Sequence, residues 1–355
     1  MKQLSIIVPV YQVEQYIRAC LESIFRQGLN DDVFEVIIVN DGTPDRSMEV
    51  IADIISQHHN ITVINQENQG LSNARNNGIN MATGEYLLFT DSDDLLIHNT
   101  LPFLLDKALA SQADLVVADF VKMCDEQIAQ FDHNQGDRLF DVNLFNQKPV
   151  PLIVQDKSGK ELLLQDLNPW QCYVWRSLYK REFLNRHHLR FIPGINYEDI
   201  PFTHQCYVKA DRCLRVNWQF IIYRKGHESI TSDFTIQKAF DYCEAIASTW
   251  SLSHDKDMDD RVRQKIRNDA FVSFSMLFYV LTSSKAISRL EKMSVLIYIK
   301  QLIPDLSFKN GLKQHIVDFF YRRMPTTYIT LRIFYARYLQ TICWAIGDFV
   351  RNKKS

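Results

Sequence analysis

Over the first 120 residues, short apolar runs alternate with stretches whose apolar residues recur at helical spacing. Ser5-Ile6-Ile7-Val8 is nearly continuous in its apolar character, as expected of a strand covered on both faces. Val13, Tyr16, Ile17, Cys20, Leu21, Ile24 and Phe25 then fall on one helical face, and Gly28 closes that helix. Further strands are expected at 34–39, 61–64, 86–90 and 115–118, with helices at 48–55, 71–81 and 100–110 between them. This alternation builds right-handed βαβ units into an α/β domain, with a mixed, mostly parallel sheet flanked by helices. Sheets of this kind bind ligands beyond the carboxyl ends of their strands.

Three polar clusters sit on that rim: Pro9-Val10-Tyr11, Asn40-Asp41-Gly42 and Asp91-Ser92-Asp93-Asp94. In the last, three carboxylates follow an apolar strand within four residues. Like charges packed so tightly repel unless a cation sits among them, and a divalent ion is the natural neutraliser. Read alone, the same residues also suit a solvated turn that caps the next helix.

Beyond Cys124 the pattern dissolves into polar residues as far as Leu167, which reads as a connecting region. A helix is expected over 173–189 and another from Tyr197-Glu198-Asp199 to Val208, with one or two strands within 214–223. From Thr235 onward the spacing is helical throughout, broken near 254–257, 304–311 and Pro325. The domains expected are 1–230, divided at about residue 120, and a helical accessory region over 235–355. Residues 321–355 hold seven Lys or Arg against the single acid Asp348, interleaved with aromatics. Such a helix suits either peripheral attachment to an anionic membrane, placed at 326–355, or packing on the accessory core.

Composition removes several classes. A net charge of −2 argues against a nucleic-acid binder. Seven cysteines with no Cys-x-x-Cys pair argue against a disulfide framework or a zinc site, and fit a reducing compartment. The amino end enters an apolar strand without a basic leader, and the uncharged stretch 270–284 is shorter than the ~20 residues of a spanning helix. A cytoplasmic protein is the expectation.

The clusters, taken together, resemble the inverting family 2 glycosyltransferases with the GT-A fold. The pieces that carry the resemblance are Ile7-Val8-Pro9-Val10-Tyr11, Val39-Asn40-Asp41-Gly42-Thr43-Pro44-Asp45, and the run Asn68-Gln69-Gly70-Leu71-Ser72-Asn73-Ala74-Arg75-Asn76-Asn77-Gly78. They continue in Gly84 to Asp94, in Trp175-Arg176-Ser177-Leu178-Tyr179, and in Tyr197-Glu198-Asp199. The resemblance spans residues 1–230, and implies nucleotide-sugar binding by 1–120 with the acceptor side and catalytic base in 121–230. Thr43-Pro44-Asp45 stands where Ser-Thr-Asp is commoner, and Thr90 where an apolar residue is frequent.

The resemblance implies sugar transfer with inversion from a nucleotide-diphosphate sugar, UDP-linked, to a hydroxyl of a glycan or lipid-linked oligosaccharide in polysaccharide biosynthesis. It implies Mn2+ or Mg2+ at Asp93, with Asp94 in support and Asp91 facing the ribose beside Ser92. Asp41 would accept from the ring N–H of uracil, Pro9 and Tyr11 would flank the base or ribose, and Arg75 would reach the base or the phosphates. Asp199 would be the general base, Glu198 its support, and Trp175 a wall of the sugar pocket. His227 would reach the metal or diphosphate, with Arg224 or Lys225 as alternatives. The Gln-x-x-Arg-Trp motif of processive polymer synthases does not occur. A catalytically silent sugar-nucleotide-binding or scaffold protein on the same fold is the rival reading, and oligomeric state stays open.

Overall fold

A computed structural model of the chain describes residues 2–129, 152–226, 234–284 and 286–304. His227 and the basic segment 326–355 lie outside the described residues. Residues 1–194 and 198–228 form one compact unit around a nine-stranded sheet. Its strands are β1 (Leu4–Val10), β2 (Phe34–Asn40), β3 (Ile61–Asn65), β4 (Tyr86–Phe89), β5 (Leu95–Leu96), β6 (Leu115–Cys124), β7 (Val154–Lys157), β8 (Ser177–Lys180) and β9 (Cys213–Lys225). They are ordered β3-β2-β1-β4-β8-β6-β9-β5, with β7 also paired to β9.

The first four strands pair in parallel, as the alternation predicts. All seven residues of β1 are buried, which explains its nearly continuous apolar run. The order reverses at β1, between β2 and β4, so the ligand crevice belongs there. The β1–β4 ladder ends at Ile7 opposite Phe89, while β1 runs on to Val10. Pro9, which has no N–H to donate, falls in this overhang. On the other flank β8 runs antiparallel between β4 and β6, and β9 pairs in parallel with β6.

Around β8 the structure departs from the sequence reading. The expected helix over 173–189 is a short turn, Val174–Arg176, then strand β8, then a helix only at Arg181–Arg186. Ser177, Leu178 and Tyr179 lie in mid-sheet and are buried, so neither alternation nor polar spacing marks them as a strand. Within the described part of the connecting region, β7 is followed by a helix, Gly159–Gln165, closed at its start by a Ser158–Glu161 capping box.

Helix α3 (Leu71–Met81) packs so close to β1 that a Cβ on Gly78 would fall 2.3 Å from Ile7 Cγ2. The turn into β4 is equally tight. Gly84 donates its N–H to Ser5 Oγ at 2.8 Å, and Ser5 Oγ donates to Glu35 at 2.5 Å.

A second unit contains Ile195–Tyr197 and three helices, Ile236–Leu252, Asp260–Ser283 and Arg289–Leu302. Within it, buried Asp241 accepts from the backbone and side-chain nitrogens of Asn196, and Tyr197 stacks on Tyr242 at 4.2 Å. Among the described residues, no helix is long and apolar enough to cross a membrane.

A Cβ on Gly84 would lie 2.5 Å from the Ser5 backbone nitrogen and 2.6 Å from the Leu4 carbonyl carbon, and neither can yield as a side chain could. Gly84→Ala should therefore destabilise the fold by about 1–3 kcal/mol, read as a lowered urea midpoint. A loss below about 0.5 kcal/mol would mean that β1 and β4 separate freely at this edge.

Candidate active site

The chain leaves β4 at Phe89 and turns at once, with Asp94 N–H donating to the Asp91 carbonyl at 3.1 Å. This turn gathers the carboxylates of Asp91, Asp93 and Asp94, one oxygen from each lying within 4.8 Å of the others. Arg224 on β9 braces it. Its backbone N–H reaches Asp94 Oδ1 at 2.9 Å, and its Nε–H reaches the Asp93 carbonyl at 2.9 Å. The same guanidinium pairs with Asp125 and lies over the Tyr16 ring.

Asp94 is 1% exposed, and its Oδ2 has no hydrogen-bond partner. Burial, then the charges of Asp93 and Asp91, push its carboxyl well above the usual range. A buried oxygen without a donor, among three mutually repelling carboxylates, fits a hard divalent cation. Asp91 and Asp93, both half-buried, stand on the accessible side of the cluster.

The second acidic pole opens helix α7 (Asp199–Lys209), whose first turn holds Asp199, with Glu198 immediately before it. Glu198 is buried and Asp199 half-buried. One side chain joins the two poles. Arg75 donates from Nη2 to Asp91 Oδ1 at 2.7 Å and from Nη1 to Glu198 Oε1 at 2.5 Å. It is 2% exposed, and its guanidinium lies over the Phe191 ring at 5.2 Å. Burial raises both Asp91 and Glu198 despite the opposing charge of Arg75. Burial, then the charge of Glu198, pushes Asp199 up to about 8.

Helix α3 sets this arrangement through its motif residues. Asn76 makes two hydrogen bonds to the Phe191 backbone, at 2.8 and 2.9 Å, and Asn77 donates to Gln66 at 2.6 Å. Gln66 in turn donates to Asp41 Oδ1 at 2.7 Å, while the N–H groups of Gln69 and Gly70 reach the same carboxylate at 2.8 and 2.9 Å. Asp41 therefore fastens the 66–70 loop to the end of β2, and three of its about four acceptor positions are filled. Tyr11 is half-buried just past β1, Pro9 is buried in it, and Ser92 is buried inside the acidic turn.

Trp175 is 2% exposed and stacks on Tyr173, with ring centroids 4.7 Å apart. The sequence reading aimed Arg75 at a base or phosphate, whereas its guanidinium is turned to two protein carboxylates. The signal was available. Arg75 lies on the same helical face as Gly78 and Ile79, and a cation on a buried face implies buried anions. The brace from Arg224 to the acidic turn was missed, because it depends on the distant pairing of β6 with β9.

Residues 5–160 match the family described as glycosyl transferase family 2. That stretch is a family 2 glycosyltransferase domain. The chain is 37% identical over 228 residues to the uncharacterized glycosyltransferase EpsJ of Bacillus subtilis (strain 168), covering 64% of this chain and 62% of that protein. It is 38% identical over 104 residues to the minor teichoic acid biosynthesis protein GgaB of the same organism, covering 29% of this chain and 11% of that one. The chain thus spans less than two thirds of either relative. Among solved structures, S. aureus TarS 1–349 in complex with UDP-GlcNAc superposes with a TM-score of 0.71 at 19% identity, covering 94% of this chain and 91% of that one. This last likeness shows the shared fold.

Removing Arg75 leaves half-buried Asp91 and buried Glu198 without their counter-ion. Arg75→Met should cost about 3–5 kcal/mol in urea unfolding, and Arg75→Lys should recover only part of it, since an ammonium lacks the two-pronged reach. A cost under about 1 kcal/mol would show that the bridge does not hold the poles together.

Proposed function

We propose that the protein transfers a sugar, with inversion, from a UDP-linked donor to a hydroxyl of a glycan or lipid-linked acceptor in cell-surface polysaccharide assembly. The observation that carries this reading is the pair of acidic poles held apart and joined by Arg75. The acidic turn suits the diphosphate end of the donor, and Asp199 suits the acceptor end. The name of GgaB supports a cell-surface polymer, and the UDP-GlcNAc bound by TarS supports uridine as the nucleotide.

Asp93, with Asp91 and Asp94 beside it, would hold Mn2+ or Mg2+, which when bound offsets charge developing on the leaving diphosphate. Asp41 keeps one acceptor position for the uracil ring N–H, and its three protein bonds fix the carboxylate in place beforehand. Tyr11 and Pro9 supply surface for the nucleoside at the overhanging end of β1.

Asp199 takes the proton from the acceptor hydroxyl. A carboxylate raised by burial is a stronger proton acceptor once ionised than an ordinary one. Glu198, tied to Arg75, orients the start of the helix that carries it.

Two variants should split binding from chemistry in the full chain. Asp93→Ala should lose the manganese-dependent part of UDP affinity. Asp199→Asn should keep that affinity while transfer falls by about 10²–10⁴, the usual worth of a general base. Since Asp199 acts deprotonated, wild-type kcat/KM should rise with pH through a limb near the value of about 8 set by its surroundings. A limb near the ordinary carboxylate value of about 3.9, or near-normal turnover in Asp199→Asn, would move the base elsewhere.

A further inference from the structure

Strands β6 and β9 bring together side chains that the roles above leave unused. Lys122 lies opposite Tyr223 in the ladder, and Cys124 opposite Lys225. The Lys122 Nζ sits over three rings, 5.6 Å from the centroid of Phe120 and 5.7 Å from those of Tyr173 and Tyr223. Trp175 closes the back of the group, parallel to Tyr173, edge-on to Phe120 at 4.9 Å, and 5.6 Å from Tyr223. Trp175 is buried, whereas Phe120, Lys122, Tyr173 and Tyr223 are each half-buried and keep an open side. Among the described residues, no carboxylate forms an ion pair with Lys122.

The backbone places this group between the two acidic poles. Tyr223 is followed by Arg224, whose N–H is held by Asp94. Tyr173 follows Cys172, whose carbonyl accepts from Thr203 on the helix that Asp199 opens, at 3.0 Å. Burial, then the charges of Asp199 and Asp94, raise the Tyr173 phenol, as expected for a ring near both poles.

Aromatic faces receive the C–H faces of a pyranose or a polyol chain, and phenol edges add hydrogen bonds. A partly desolvated ammonium with no carboxylate partner among the described residues suits an anion, and lysine serves phosphate-like groups as a point charge. Burial, then the neighbouring charge of Lys225, lowers the Lys122 ammonium, a strain that a bound anion would relieve. We propose that Phe120, Lys122, Tyr173 and Tyr223 form the acceptor subsite, and that it takes a sugar or polyol carrying an anionic group. This deepens the transferase reading above and rests on it.

The test uses the full chain with UDP and manganese, titrated calorimetrically with matched pairs: glucose 6-phosphate against glucose, ribitol 5-phosphate against ribitol, and glucuronate against glucose. At least one anionic member should bind roughly tenfold more tightly than its neutral partner, the worth of one charge-assisted hydrogen bond. The preferred pair then tells phosphate from carboxylate. Lys122→Gln should abolish the preference and Lys122→Arg should keep it. No anionic preference in the wild type, or a preference that survives Lys122→Gln, would overturn the assignment. UDP affinity is read in the same titrations. Its absence in the wild type would fault the donor reading, whereas intact UDP binding without an anionic preference faults the acceptor subsite alone.

Discussion

The guanidinium of Arg75 is the contact on which the site depends. It bridges Asp91 and Glu198, which lie 16 and 123 residues away in sequence, from a helix pressed against the central strand. A charge this deeply buried is tolerable only when paired and hydrogen-bonded, and each of its carboxylates is tolerable only because of it. The bridge therefore fixes the spacing between the acidic turn after β4 and the start of the helix at Asp199. The pairing is also incomplete as a neutralisation. Asp91, Asp93, Asp94, Glu198 and Asp199 face Arg75 and Arg224, and Arg224 shares its charge with Asp125. The remaining negative charge fits the cation proposed for the acidic turn, and burial together with Glu198 raises the Asp199 carboxyl.

The sheet explains why these groups meet where they do. The order reverses at β1, and β4 stops short of the end of β1, so Tyr11, the acidic turn and Asp41 all follow the carboxyl ends of neighbouring strands. Asp41 spends most of its hydrogen-bonding capacity on the 66–70 loop, so its carboxylate is held in one orientation by the protein itself. Preorganised acceptors of this kind do not have to reorient when a ligand binds.

Much of this was legible in the sequence where the interactions are local or periodic. The alternation over the first 120 residues marks the parallel half of the sheet, because a strand covered on both faces is apolar along most of its length. The carboxylates of 91–94 announce their own repulsion. What stayed hidden depends on distant pairing. Leu178 and Tyr179 are as apolar as a buried helix would be, and only their place between β4 and β6 makes them a strand. Arg224 and Lys122 carry no local mark, since the register of β6 on β9 decides what they touch. Arg75 stands between these cases. Its place on a buried helical face implied internal anions but could not say which.

In the mechanism proposed above, one carboxylate acts as the base while the leaving group is held at the opposite pole, and such a mechanism is a single displacement at the anomeric carbon. Proton NMR of the first product formed from an α-linked UDP-sugar reads this directly, through the coupling at the anomeric proton. A β-linked product is predicted. An α-linked product at early times would contradict the account, because retention requires a nucleophile or an ion-pair path in place of Asp199 acting as base.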